Sequence, residues 1–116
     1  MNEKKKKILI INGSIRGKQG NSWALSKMAE DFLSNKLFAT VEILTLSEPK
    51  PSIPEVYDLL QSSDGFLIVS GTYWNNYGSS LQRFIEVIST FENSSALFGK
   101  PLACAVTMDS VGGAEV

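Results

Sequence analysis

Histidine is missing from all 116 residues. That excludes a histidine-dependent catalytic triad and any histidine-ligated metal, and no metal is expected. Cysteine occurs once, at Cys104, so an internal disulfide is excluded. No apolar stretch approaches the length of a bilayer span. Residues 8–11 are too few for the apolar core of a signal peptide. Charge of either sign is nearly balanced, at 11 Lys and Arg against 12 Asp and Glu, for a formal net charge of −1. A field strong enough to favour nucleic acid or an acidic membrane is therefore absent. The four lysines at 4–7 read as a solvated leader. Proline is scarce, and Pro49, Pro51 and Pro54 cluster in one segment. They exclude helix and central strand over residues 47–54 and predict a connecting loop there, a rim over a ligand site being the rival reading. Internal repeats and low-complexity tracts are also lacking. These limits predict one cytoplasmic domain over residues 1–116, without membrane or nucleic-acid partners. A hydrophobic fraction of 43% is ample for a packed core.

What is present is organised around residues 8–22. Residues 8–11 are an uninterrupted apolar run, as expected of a strand buried on both sides of a parallel sheet. A loop follows in which Gly13, Gly17 and Gly20 permit tight backbone paths. Asn21 and Ser22 are N-cap candidates for the next helix. A helix N-terminus offers unpaired N–H groups and a positive dipole end to an anion. Ser14 adds a hydroxyl, and Arg16 a planar fork of donors that matches phosphate. The stretch therefore reads as a monophosphate cradle. A Walker A loop fits poorly, because only three residues separate Gly13 from Gly17 and Gln19 follows Lys18. A dinucleotide fingerprint also fits poorly, since Ile15 stands where its second glycine belongs.

The remaining pattern alternates. A helix is predicted over 21–36, with Leu25, Met28, Ala29, Phe32 and Leu33 forming the face against the sheet. Trp23, in its first turn, is expected to pack rather than touch ligand. Residues 40–45 suit an edge strand with Glu42 toward solvent. A second helix is predicted over 55–62, with Pro54 in its first turn and Val56, Leu59 and Leu60 inward. Residues 66–70 form another buried strand, followed by a polar loop over 71–78. A third helix starts at Ser79 or Ser80 and carries Leu81, Phe84, Ile85 and Ile88 on one face. Residues 102–107 form a last strand, in which Cys104 alternates inward as a core residue. The order βαβαβαβ implies a parallel sheet with right-handed crossovers. Ligands bind such sheets beyond the carboxyl ends of the strands, where strand order reverses. The loops 13–20, 71–78 and 109–113 are expected to meet there.

Taken together, these motifs resemble the flavodoxin-like NADPH-dependent FMN reductases, a group that includes quinone and chromate reductases. Asn12-Gly-Ser-Ile-Arg with Gly20-Asn-Ser looks like the family's phosphate loop. Thr72-Tyr-Trp followed by Leu81-Gln-Arg-Phe-Ile looks like its second motif, and residues 107–113 like its third loop. The resemblance implies a doubly wound α/β sheet with strand order 2-1-3-4. It implies FMN as cofactor, with Ser14, Arg16, Asn21 and Ser22 at the phosphate. Thr72, Tyr73, Trp74, Asn75 and Asn76 would line the isoalloxazine, and Ser110, Gly112 and Gly113 would close the other side. Tyr73, Trp74 and Tyr77 would either stack on the ring or cover the sheet edge. Arg83 is expected to be a solvated helix residue rather than an NADPH-phosphate ligand. The sequence departs from the family at Gly71, where a proline is usual, and at Asn75 and Asn76. It also stops before a fifth strand and its helices.

The implied activity is hydride transfer from NAD(P)H to FMN and onward reduction of a small-molecule acceptor such as a quinone or free flavin. FMN would carry the redox step, so no side chain is expected to be catalytic. A homo-oligomer, dimer or tetramer, is expected because the last strand would otherwise leave an open edge. The rival reading is a flavodoxin-like binding or electron-transfer module without catalysis.

Overall fold

A computed structural model describes residues 5–13, 21–46, 52–71, 84–86, 97 and 99–107. Strands β1 (Lys7–Asn12), β2 (Thr40–Thr45), β3 (Gly65–Gly71) and β4 (Leu102–Thr107) form one parallel sheet in the order β2-β1-β3-β4. Helix α1 (Asn21–Lys36) links β1 to β2, and α2 (Ile53–Ser62) links β2 to β3. Residues 84–86 are helical, inside the span expected for a third helix. The order and the doubly wound arrangement are those expected from the sequence.

Burial explains the strand sequences. Leu9, Ile10 and Ile11 are 0–2% exposed, and Val69 is fully buried. Side chains alternate across a strand, so β1 needs apolar residues at every position only because both sheet faces are covered. Leu9, Ile11, Leu44, Phe66 and Ile68 join Val56 and Leu60 of α2 and Phe84 in one core. At the amino ends of the strands, Lys7 closes the sheet. Its backbone N–H donates to Asp64 Oδ2 at 2.8 Å, and its Nζ reaches Ser62 Oγ at 3.0 Å and Glu42 Oε1 at 3.2 Å. Lys7 thus belongs to the sheet rather than to a solvated leader. The pair with Glu42 is partly exposed, so it contributes at most about 1 kcal/mol.

Helix α2 begins two residues earlier than its apolar spacing suggests, because Ser52 caps it. The Ser52 hydroxyl accepts from the Glu55 N–H, and the Glu55 carboxylate accepts from the Ser52 N–H. This reciprocal pair satisfies two donors that a helix start leaves open.

Two expectations fail. Cys104 is exposed rather than buried. It pairs with Ile68 and so has the parity of the core face. However, β4 is an outer strand of the sheet among the described residues, and Leu102 beside it is 60% exposed. The face presented by α1 also differs. Leu25, Ala29 and Leu33 are half-buried, but Met28 and Phe32 are 68% and 57% exposed, while Ser22 and Ser26 are buried. Small side chains let a helix approach the sheet closely, so the serines take the inner line and the bulky residues stay on a flank.

Candidate functional site

All four strands run the same way, so their carboxyl ends lie along one edge. The β1–β3 register pairs Asn12 with Val69, and the β3–β4 register pairs Gly71 with Thr107. Gly13 donates to the Val69 carbonyl at 2.8 Å, which carries the sheet contact one residue past β1. The connection from β1 goes to β2 on one side, while β3 lies on the other. That divergence marks the switch point beyond β1 and β3, the usual ligand position in such sheets.

Buried polar groups gather at this edge. Asn12 is fully buried, and its Nδ2 lies 3.5 Å from Thr45 Oγ1. The Asn12 carbonyl accepts from Leu46 N–H at 3.1 Å, which holds the end of β2 against β1. Ser70 is 2% exposed and donates to the Gly71 carbonyl at 2.9 Å. Buried polar atoms are costly unless bonded, so these contacts fix the platform from which the loops leave. Asn12 and Ser70 were not among the expected site residues. The signal for Asn12 was present, as a polar residue ending a run of buried aliphatics.

The start of α1 completes the arrangement. Asn21 and Ser22 lie in its first turn rather than at its cap. Asn21 is exposed, whereas Ser22 is 3% exposed. One turn on, the Ser26 hydroxyl donates back to the Ser22 carbonyl at 2.8 Å. The first turn holds no acidic residue, so nothing opposes an anion at the positive end of the helix dipole. Trp23 is half-buried, with Lys27 Nζ 5.7 Å from its ring centroid. The Lys27 pKa is raised, first by its hydrogen bond to Glu30.

Of the expected site residues, the structure places Asn21 and Ser22. Ser14, Arg16, Thr72, Tyr73, Trp74, Asn75, Asn76, Ser110, Gly112 and Gly113 lie outside the described residues. The segments that carry them depart from the adjacent ends of β1, β3 and β4. Among the described residues, no group of acidic or cysteine side chains could hold a metal ion. No helix there is long and apolar enough to cross a membrane.

Comparison with solved structures agrees with this architecture. An NADH:FMN oxidoreductase in its apo form superposes with a TM-score of 0.76 at 19% identity, over 90% of this chain and 59% of that one. An NADPH-quinone reductase from P. pentosaceus gives 0.65 at 17% identity, over 91% and 61%. General stress protein 14 from Treponema denticola, in complex with FMN, gives 0.61 at 16% identity, over 93% and 64%. The chain thus spans about three-fifths of the length of these structures. No curated protein matches it significantly. The model of the NADPH-dependent FMN reductase family matches residues 6–116. With nearly the whole sequence matched by the family model, the chain belongs to the NADPH-dependent FMN reductase family.

Proposed function

We propose that this chain acts as an FMN-binding oxidoreductase that passes electrons from NAD(P)H to a quinone, free flavin or similar small acceptor. The carrying observation is the convergence at one sheet edge of three loop-bearing strand ends with an acid-free helix start. The described residues suit FMN on two counts. The α1 N-terminus favours a dianionic phosphate, and the switch point beyond β1 and β3 has the position that a flat ring requires.

Bound FMN supplies the redox chemistry. The chain's own residues bind and orient it. The exposed Asn21 and backbone N–H groups at the start of α1 would hold the phosphate, and Ser14 and Arg16 would add charge-assisted hydrogen bonds from the preceding loop. Ser22, Ser26 and Asn12 keep the helix start and strand end in fixed relation. Residues 72–76 would meet the ring edge mainly through backbone groups, and Ser110, Gly112 and Gly113 would flank its other side. Donors held near the part of the ring that gains charge lower the cost of reduction.

The proposal extends to a cytoplasmic homo-oligomer, dimer or tetramer. A free thiol suits a reducing compartment.

The test is to titrate the purified chain with FMN, then follow NADH and NADPH oxidation with and without a benzoquinone. Saturable FMN binding with acceptor-dependent oxidation is expected. FMN binding without oxidation of either nucleotide favours the rival module that binds without catalysis. Absence of FMN binding overturns both readings.

A further inference from the structure

The face of the sheet beneath α2 holds a cavity of about 170 Å³. Ile11, Phe66 and Ile68 line it from the sheet, Leu60 from α2, and Phe84 from the helical residues opposite. Leu102 stands at its border and is 60% exposed, so the cavity opens beside the first residue of β4. It extends from the amino ends of β3 and β4, where Phe66 pairs with Leu102, to Ile11 in β1. A dry aliphatic and aromatic cavity of about 150 Å³ is large enough to take up benzene.

One charge borders this apolar space. Lys100 lines the cavity, with its Nζ 5.8 Å from the Phe66 ring centroid. The ammonium donates to the Leu60 carbonyl at 2.7 Å and to the Gln61 carbonyl at 3.1 Å. Its backbone is also held, since Lys100 N–H donates to Leu97 O and Phe66 N–H to Pro101 O. An ammonium has three donors. Two serve the end of α2, and no third acceptor bonds it among the described residues. Desolvation lowers the Lys100 pKa, and the nearby Asp64 carboxylate opposes that shift.

From the volume, the apolar lining and the fixed cation, we propose that this cavity binds a single-ring aromatic monocarboxylate, the ring among Ile11, Ile68 and Phe84 and the carboxylate on Lys100. The site is separate from the proposed flavin site and does not rest on that reading.

Benzoate, toluene and benzylamine serve as probes, titrated into the full chain with and without saturating FMN. Binding is read from the methyl NMR signals of Ile11, Ile68 and Leu102 and from the thermal midpoint. Benzoate is expected to bind more tightly than toluene, and benzylamine not at all. Lys100→Met should weaken benzoate about tenfold or more, the loss of one charge-assisted hydrogen bond, and leave toluene unchanged. Leu102→Trp, at an exposed position that tolerates bulk, should block both ligands even if Lys100→Met loosens the end of α2. The proposal is overturned if benzoate fails to bind, if its binding survives both substitutions, if benzylamine binds equally well, or if FMN displaces it.

Discussion

Helix α2 meets the sheet with Val56 and Leu60, 4% and 1% exposed, whereas α1 meets it with Ser22 and Ser26, 3% and 0% exposed. The shorter helix is capped by reciprocal bonds between Ser52 and Glu55, and its last carbonyls accept from Lys100. The longer helix leaves Met28 and Phe32 largely uncovered. Thus α2 is held by apolar burial and by both of its ends. Helix α1 gives up apolar contact along its inner line and gains a close approach to the strands at its first turn. The contrast separates a helix seated by apolar burial from one whose N-terminus, under the proposed function, lies beside the ligand.

Substitutions can break that contrast. The largest loss of stability is expected from Leu60→Ala, which empties a buried leucine site and should cost about 2–5 kcal/mol in urea unfolding. The folded fraction should still bind FMN with unchanged affinity, because Leu60 lies on the opposite face from α1. Ser26→Leu should cost less, about 1–3 kcal/mol from overpacking. Yet it should weaken FMN clearly, since it pushes the start of α1 off the sheet. Ser52→Ala removes the α2 cap and should cost about 0.5–2 kcal/mol, with no effect on flavin. Phe32→Ser, on the exposed flank of α1, should stay within about 0.5 kcal/mol of the parent. A loss as large for Phe32→Ser as for Ser26→Leu would show that the apolar flank, not the serine line, seats α1.

The same contrast marks what was legible in the sequence. The spans of α1, β2 and β4 follow from apolar spacing and β-branched runs, and the parallel sheet follows from the alternation of strands with helices, whereas the strand order was implied by the family resemblance. The inner face of α1 does not. Its apolar stripe is wide, and periodicity cannot say which third of it touches the sheet when two serines sit at its border. Cys104 fails for a related reason, because strand parity fixes the side a residue faces but not whether that side is covered. The cap at Ser52 was hidden by the neighbouring prolines, which draw the segment toward a loop reading. At the candidate site, Asn21 and Ser22 were proposed from helix-start chemistry and lie in the first turn of α1, while Asn12 was quoted within the loop motif but given no role, because a polar residue at a strand end does not reveal its burial.

The central claim, that the start of α1 and the loop before it form a phosphate site, is tested most directly by one paired titration. FMN and riboflavin differ by the phosphate alone, and each can be followed by flavin fluorescence quenching in the parent chain and in Arg16→Ala. A charge-assisted hydrogen bond contributes about 1.5–3 kcal/mol, so Arg16→Ala should weaken FMN by roughly ten- to a hundredfold. Riboflavin binding should hardly change. Equal weakening of both ligands, or no weakening of either, would contradict the account.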